Sequence, residues 1–567
     1  MKKTLLLLSL SALIPLSARA QDPAIAPVPP PTGATAPATP PTATPPPATP
    51  PPAAPPVAPP PVTTAPADAP PAQPETANMD DATRLREATL AYNAGLAAIK
   101  KSDWNAADAS FGRAAMLSPN DAGAFSFLGY VRLQQKNWDG ALTALQSAQD
   151  NGKNLDVAAR AQLLNNIGFA RWNKDETVPA RAAFEEALKL QPDYYDARYN
   201  LAFALLSSDQ FADALPHLKT LQAKNPDDAA IEEGLGEAFD RTGNPSGALG
   251  AYKRAIALDP KNENYQFKFA LILLNNGRRD DALEALRNLL NVNPNNAPAL
   301  LQIGDIHLRS NRYSDAAAAL RRYVNVRGDD FTGRFNLGVA LDYSSKFDEA
   351  LEQYGAAEKL KPNDAATKNN IGRIYFKRGR FDEAVAKFNE ALILDSTFYD
   401  ARTNLAIVLA AQDKLDMSTT EWQKLASDAA DGARGASIGD RRALEARIAT
   451  ARSGIASNLL AQSKYKDAAD EYRRLLALTP ADAEARSGLG RALYNLKDYA
   501  GAEAAYRVII KAYPDNANAY NDLGVVLEAK GDRAGALDNY QKALDLAPDH
   551  NEAKSNVARL KGATAVG

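Results

Sequence analysis

Residues 331–364 read FTGRFNLGVALDYSSKFDEALEQYGAAEKLKPND, a block of 34 residues with Gly338 at its eighth position. Ala350, Tyr354 and Pro362 follow at positions 20, 24 and 32 of the block. Blocks that begin at residues 195, 229, 263, 297 and 365 carry a small residue, an alanine and a bulky residue at positions 8, 20 and 24, without a gap between blocks. Self-similarity at a fixed period of this length indicates a repeat architecture.

Extending this register in both directions gives thirteen blocks, which we number repeats 1 to 13. They begin at residues 88, 122, 161, 195, 229, 263, 297, 331, 365, 399, 449, 483 and 517. Position 8 is always Gly or Ala, position 20 is Ala except for Ser418, and position 24 is always bulky. Two helices can approach closely only where their facing side chains are small, and a proline at position 32 ends the second helix. The pattern therefore predicts two packed helices in each repeat.

This combination of residues resembles the tetratricopeptide repeat family over residues 88–550. The resemblance implies an all-α fold, a right-handed solenoid of about 13 helix–turn–helix repeats, because one helix pair cannot bury its apolar face alone. Repeats 1–10 would span residues 88–432 and repeats 11–13 residues 449–550. We interpret the insertion 433–448 as a hinge, and residues 551–567 as a capping helix and tail. The start of the insertion reads as a loop, and 441–460, which continues into repeat 11, reads as one prolonged helix with Asp440 as its N-cap.

The first twenty residues, MKKTLLLLSLSALIPLSARA, predict a signal peptide. Lys2 and Lys3 precede a short apolar run, and Ala18-Arg19-Ala20 forms a cleavage site. The apolar run is shorter than the roughly 20 residues that a membrane-spanning helix needs. No cysteine follows the cleavage site, so we expect no lipid anchor, and we expect no integral membrane segment after signal cleavage. The sequence thus predicts export to the periplasm or the extracellular space.

Residues 21–80 hold 23 of the 37 prolines, set among Ala and Thr. Proline lacks the N–H group that helix and sheet hydrogen bonds require, and the segment has few large apolar residues to bury. We therefore expect a disordered, extended arm rich in proline and alanine. It could serve as a spacer or as a ligand for proline-binding domains.

Composition argues against several classes of function. The chain has no cysteine, three histidines, and 65 basic against 68 acidic residues, a net charge of −3. We therefore expect no metal site, no cofactor, no nucleic-acid partner and no enzymatic activity. Gly435, Ser437 and Gly439 match the spacing of a nucleophile elbow, but neither a preceding strand nor a suitable histidine accompanies them. We interpret this stretch as a loop.

The candidate binding residues rest on the family resemblance. In tetratricopeptide proteins the first helices line a concave groove, and position 6 of several repeats here is an amide that can donate and accept hydrogen bonds. This resembles the asparagine ladder of O-linked N-acetylglucosamine transferase, although such amides can also bond between neighbouring helices. The predicted groove residues are Asn166, Tyr199, Asn200, Phe203, Gln302, Phe335, Asn336, Asn369, Asn370, Arg373 and Asn404. The family's carboxylate clamp is absent, because position 5 offers residues such as Tyr199, Phe335 and Asn369 where the clamp needs lysine.

Two functions remain open at the level of sequence. The first is a non-catalytic scaffold of the cell envelope whose groove binds a peptide or a protein. The second is a structural assembly factor for pilus, secretion or polysaccharide machinery that makes its contacts through the convex face or the terminal repeats. A weaker third option is an enzyme partner resembling the glycosyltransferases that carry such repeats; it is weaker because the repeats continue to His550 and the tail cannot hold a catalytic domain.

Overall fold

A computed structural model describes residues 79–434 and 436–564. Within these ranges the regular structure is helical, without strands, so the predicted all-α helical-repeat fold is confirmed. The described residues divide into two compact units, 79–303 and 304–564. The predicted signal peptide 1–20 and residues 21–78 of the predicted arm lie outside the described residues.

The helices of the first unit are α1 (Asp81–Lys100), α2 (Trp104–Leu117), α3 (Ala122–Gln134), α4 (Trp138–Asp150), α5 (Val157–Trp172), α6 (Thr177–Leu190), α7 (Tyr195–Ser207), α8 (Phe211–Lys224), α9 (Ala229–Arg241), α10 (Pro245–Leu258), α11 (Glu263–Asn275) and α12 (Arg279–Val292). A short 3-10 helix covers Gly152–Asn154. The boundary between the units falls within α13 (Ala297–Arg309).

The helices of the second unit are α14 (Tyr313–Val326), α15 (Phe331–Tyr343), α16 (Phe347–Leu360), α17 (Ala365–Lys377), α18 (Phe381–Leu394), α19 (Tyr399–Ala411), α20 (Leu415–Ala433), α21 (Ile438–Ala461), α22 (Tyr465–Leu478), α23 (Ala483–Asn495), α24 (Tyr499–Ala512), α25 (Ala517–Ala529), α26 (Arg533–Leu546) and α27 (Asn551–Thr564). In every repeat the odd-numbered helix comes first and the even-numbered helix second.

The turn between the two helices of each repeat has one fixed feature. Position 15 adopts a positive φ in all thirteen repeats. Four of these residues are glycines, such as Gly243 and Gly379, and nine are not, such as Ser345 and Asp413. Since this backbone region favours glycine, the nine other residues are held there by the helices on either side.

Close helix contact explains the small residue at position 8. A side chain larger than that of alanine does not fit at Gly338, because a Cβ atom there would already lie 2.7 Å from the ring of Tyr354. Ala384 at position 20 and Phe388 at position 24 are both fully buried in the neighbouring repeat. Ser418, the exception at position 20, donates a hydrogen bond from its hydroxyl to the Ala406 carbonyl at 2.7 Å. A buried hydroxyl is thus tolerated because it is bonded.

The first helix begins seven residues before the first block. Asp80 is its N-cap and accepts a hydrogen bond from the Thr83 backbone N–H at 2.8 Å. The chain therefore enters the helical array at the end of the predicted arm rather than at Ala88. Aspartate is a favourable N-cap, because it satisfies a free backbone donor of the first turn.

The insertion between repeats 10 and 11 lengthens two helices. The predicted N-cap Asp440 is wrong: Ser437 caps α21, and its hydroxyl accepts from the Asp440 backbone N–H at 3.3 Å. The physical reason is that a serine followed three residues later by an acid forms a capping pair, so the helix begins three residues earlier. Arg447 bonds Asp400 at 2.6 Å and lies over the Tyr399 ring, which attaches α21 to α19. The hinge stays a prediction, and its motion would have to break these contacts.

The final helix, α27, continues the repeat register. Ala553 and Leu560 are buried, as at positions 3 and 10 of a first helix, and α27 packs on α26. Within the described ranges, the helices lack the combination of length and apolarity that crossing a membrane requires.

We expect Ala384→Leu to lower the free energy of unfolding by about 1–3 kcal/mol, because the larger side chain overpacks a fully buried helix crossing. Ala386→Leu, on the exposed side of the same helix, is the matched control and should change it by less than about 0.5 kcal/mol. Urea denaturation measures both. Equal unfolding midpoints for the two variants would contradict the assigned packing.

Candidate peptide-binding face

The predicted groove residues lie on the odd-numbered helices, where positions 2, 5, 6 and 9 form a surface that we call the first-helix face. One group lies in the unit 79–303 and the other in the unit 304–564. The first group is Asn166, Tyr199, Asn200, Phe203 and Gln302, and the second is Phe335, Asn336, Asn369, Asn370, Arg373 and Asn404.

Two of the predicted amides, Asn200 and Asn404, donate to an amide of the preceding repeat. Asn200 Nδ2 donates to Asn165 Oδ1 at 2.9 Å, and Asn404 Nδ2 donates to Asn369 Oδ1 at the same distance. In each pair, position 6 of one repeat donates to position 5 of the repeat before it. Asn556 in α27 bonds Asn521 in the same way at 3.1 Å. These bonds hold adjacent first helices in register and fix the orientation of the amide groups.

The predicted amides also differ in how much of each residue is exposed to solvent. Asn166 and Asn370 are buried, whereas Asn336 and Asn404 are half-buried in the second unit and Gln302 is half-buried in α13. An asparagine has two N–H donors and an acceptor oxygen, so the single bond from Asn404 leaves capacity for a ligand. Asn336 and Asn404 are the amides best placed to contact a bound peptide.

The predicted aromatic anchors are mainly packing residues. Phe203 and Phe335 are buried, and Phe335 lies 5.8 Å from the Tyr354 ring centre to centre. Tyr199 is half-buried and packs on Phe203 at 4.5 Å between ring centres. Burial raises the pKa of the Tyr199 hydroxyl, which therefore stays protonated. Of the three aromatic residues, Tyr199 alone retains substantial exposure.

Arg373 belongs to a network that the sequence analysis did not identify. Its guanidinium pairs with Asp342, whose side chain is fully buried, and Lys377 Nζ bonds the same carboxylate at 3.0 Å. The guanidinium also lies over the Tyr343 ring at 5.4 Å. Burial opposes the charge of Arg373, but the Asp342 carboxylate holds its pKa above the ordinary value. Arg373 is thus fixed in place on the face.

A spacing in the sequence could have revealed this network. Asp342 occupies position 12, which is apolar in most repeats, and Arg373 follows 31 residues later. Glu528 occupies position 12 of repeat 13, and Arg559, also 31 residues later, bonds its carboxylate at 2.7 Å. An acid at position 12 with an arginine at position 9 of the next first helix therefore marks an ion pair between repeats.

Charge is distributed unevenly between the two helices of repeats 8–10. The first helices α15, α17 and α19 carry an excess of three basic residues, and α17 has no acidic residue. The second helices α16, α18 and α20 carry an excess of eight acidic residues. Lys368 of α17 pairs with Glu358 and Glu390 of the second helices, so the basic groups of α17 that remain beside the first-helix face are Arg373 and Lys377, which share the Asp342 carboxylate.

The row of amides ends after repeat 10 for a steric reason. Position 6 of the next two repeats is Gly454 and Gly488. A Cβ at Gly454 would lie 2.3 Å from the Trp422 ring, and one at Gly488 would lie 2.2 Å from the Tyr472 ring. These rings come from position 24 of the preceding repeat and leave no room for an asparagine. Within the second unit, the consecutive amides at position 6 thus end with repeat 10, and an amide returns at this position in α27, as Asn556.

Comparison with known proteins agrees with this architecture. Family models described as tetratricopeptide repeat match residues 92–155, 178–238, 267–330, 335–397, 454–517 and 517–550, which is more than half of the chain. The protein is a helical-repeat protein. The chain belongs to the tetratricopeptide repeat family, whose repeats form protein–protein interaction scaffolds and are generally non-catalytic.

Individual relatives share only part of their length with the chain. BBSome complex member BBS4 of Xenopus tropicalis is 29% identical over 121 residues, 21% of this chain and 23% of that protein. Superkiller protein 3 of Schizosaccharomyces pombe is 27% identical over 187 residues, 32% of this chain and 13% of that protein. The chain thus spans less than a quarter of the length of these relatives. The structure of MamA from Desulfovibrio magneticus is similar over 31% of this chain and 96% of that one, with 24% identity and a TM-score of 0.29.

We expect Asn404→Ala to lower the free energy of unfolding by about 1–3 kcal/mol, because it leaves the buried Asn369 amide without its donor. Asn325→Ala, an exposed amide on α14, is the control and should be nearly neutral. A double-mutant cycle with Asn369→Ala isolates the pair, since coupled residues give non-additive losses. Additive losses would show that the amide bond contributes nothing to stability.

We expect Asp522→Asn to stabilise the protein at pH 7. Burial raises the pKa of this carboxyl from 3.8 to about 6, against the opposing effect of Arg491. The folded state therefore keeps a proton between pH 4 and 6 that the unfolded state has lost, so stability falls as pH rises through this window. Calorimetry from pH 4 to 7 should show a gain in melting temperature for the variant that grows with pH. A gain that is the same at every pH would contradict this origin.

Proposed function

We propose that the chain is an exported, non-catalytic scaffold of the cell envelope that binds an extended segment of a protein partner on the first-helix face of repeats 8–10. The observation that carries the proposal is the pair of half-buried amides Asn336 and Asn404 on the first-helix face, of which Asn404 is oriented by its bond to Asn369. Family membership supports protein binding in general, and the amide row supports this particular face.

The chemistry of the face suits a peptide backbone. An extended peptide presents an N–H and a C=O group at every residue, and an amide side chain can bond to either. First helices that follow each other at 34 residues repeat these side chains along the array. Such a row of amides can bind the main chain of a peptide with little dependence on the sequence of the peptide.

The basic residues Arg373 and Lys377 add a preference for the charge of the bound segment. Arg373 and Lys377 share one carboxylate, so the pair retains a net positive charge next to the amides. Complementary charge mainly increases the rate of association and selects among partners. We therefore expect the bound segment to be neutral or acidic.

Export rests on the sequence of residues 1–20. In this proposal the segment 21–80 acts as a spacer that gives the repeats reach, because its proline content favours extended chain. The partner is then a protein of the envelope.

The test is affinity capture with the full chain from envelope and cytoplasmic fractions, compared with the variant Asn336→Ala. We expect an envelope partner that binds the variant about fivefold more weakly, since one hydrogen bond of about 1 kcal/mol is lost. Asn404 is left intact because its removal also affects stability. Asn325→Ala on a second helix is the matched control, and circular dichroism verifies folding. A partner that binds all three proteins equally would rule out this face.

A further inference from the structure

The first helices of repeats 1–4 carry an uncharged surface at positions 5, 9 and 12. We call these twelve residues the aromatic face, because six of them are aromatic. They are Tyr92, Leu96 and Ile99 of α1, Ser126, Tyr130 and Leu133 of α3, Asn165, Phe169 and Trp172 of α5, and Tyr199, Phe203 and Leu206 of α7. The uncharged run ends in repeat 5, where the same positions are Glu233, Glu237 and Asp240.

The aromatic face is continuous across the four repeats. Tyr92 of α1 packs edge-on against Phe127 of α3 at 5.4 Å between ring centres, and α3, α5 and α7 contact one another in sequence. Tyr130, Trp172 and Tyr199 pack against the apolar clusters beneath them. These three residues and Tyr92 are half-buried, so each retains surface for a ligand. A continuous apolar surface of this kind marks an interaction site.

The face continues onto the first turns of α1. Leu85 lies seven residues before Tyr92, which is close to two helical turns, so both side chains lie on the same side of the helix. Leu85 is 55% exposed. The apolar surface therefore begins five residues after the proline-rich arm 21–80.

The arm offers a segment of matching chemistry. Residues 45–61 read PPPATPPPAAPPVAPPP, with eleven prolines in seventeen residues and no charged residue. Proline-rich sequences favour the polyproline II conformation, and such segments dock in grooves lined by aromatic side chains. Contact between this run and the aromatic face requires no charged residue of either to leave water.

The lengths of the run and of its connection to α1 also agree. Packed helices lie about 8–10 Å apart, so four first helices in a row extend over about 30 Å. Polyproline II, at about 3.1 Å per residue, covers this distance with about ten residues. Nineteen residues, 62–80, join the run to α1, and a chain of that length spans on the order of 25 Å. A linker that matches the span gives a tethered ligand its highest effective concentration.

We propose that the run 45–61 docks on the aromatic face of repeats 1–4 of the same chain. Its proline rings contact the exposed parts of Tyr92, Tyr130 and Trp172, and any other ligand of this face has to displace the run. Residues 21–44 precede the run and remain available as a spacer. The proposal does not depend on the function proposed for repeats 8–10, which lie in the other unit.

Photo-crosslinking in the full chain tests this contact. The photoreactive residue p-benzoylphenylalanine replaces Tyr130 in one variant and Val178 in another; Val178 is 81% exposed on α6, a second helix of the same unit. Trypsin leaves the arm in one fragment, because no lysine or arginine lies between Arg19 and Arg84. Mass spectrometry then identifies the arm residues that are joined to each probe. A mixture of ¹⁵N-labelled and unlabelled chains distinguishes contacts within a chain from contacts between chains.

Two sets of proline substitutions test whether the contact belongs to this run. The first set replaces six prolines of the run by serine, and the matched control replaces six prolines nearer the start of the same arm. The first set is Pro45, Pro46, Pro47, Pro50, Pro51 and Pro52, and the control set is Pro23, Pro27, Pro29, Pro30, Pro31 and Pro37. Circular dichroism verifies that the repeats of both variants are folded.

We expect the probe at position 130 to crosslink to residues 45–61 of its own chain, and the probe at position 178 not to reach them. The first proline set should lower the crosslink yield at least about fivefold, because apolar contacts are lost, and the control set should leave the yield unchanged. Equal crosslinking of the run by both probes, crosslinks only between chains, no crosslink to the run, or equal yields from the two proline sets would each overturn the proposal.

Discussion

The contact between a bulky ring at position 24 and a backbone without a large side chain at position 8 is the constraint on which the structure depends. In repeat 8, a Cβ atom placed on Gly338 would lie only 2.7 Å from the Tyr354 ring. The two helices of a repeat can cross at this distance only if one of them is almost bare at the crossing. Every further feature of a repeat follows from the resulting geometry, including the turn at position 15 and the place of the first helix of the next repeat.

The same ring also limits the binding chemistry of the neighbouring repeat. Where the ring at position 24 packs directly on the backbone at position 6 of the next repeat, as with Trp422 and Tyr472, position 6 must be glycine. Where it leaves space, an asparagine fits and can bond to a neighbour or to a ligand. Core packing and surface function are therefore coupled through one side chain, and the extent of the amide row is a consequence of which rings fill the core.

The fold could be predicted from sequence because its signals repeat. A small residue at position 8 occurs in all thirteen blocks, and no single exception such as Ser418 obscures the register. Two of the features that sequence reasoning missed depend on pairs of residues far apart in the chain. The Asn369–Asn404 bond and the Asp342–Arg373 ion pair each require knowing which side chains face each other. The cap at Ser437 is local, and it was missed because Ser437 and Asp440 are both suitable N-cap residues. Solvent exposure also reduces the set of candidate site residues, because Phe203 and Phe335 match the groove pattern in the sequence but are buried in the structure.

The uneven charge of repeats 8–10 joins neighbouring helices to one another. The first helices carry three excess basic residues and the second helices eight excess acidic residues, so charges of opposite sign meet where the two kinds of helix pack. Lys368 of α17 accordingly bonds Glu358 of α16 and Glu390 of α18, and Arg402 of α19 bonds Glu421 of α20. One lysine thus cross-links three successive helices, and the charge of the segment is spent on cohesion within the array.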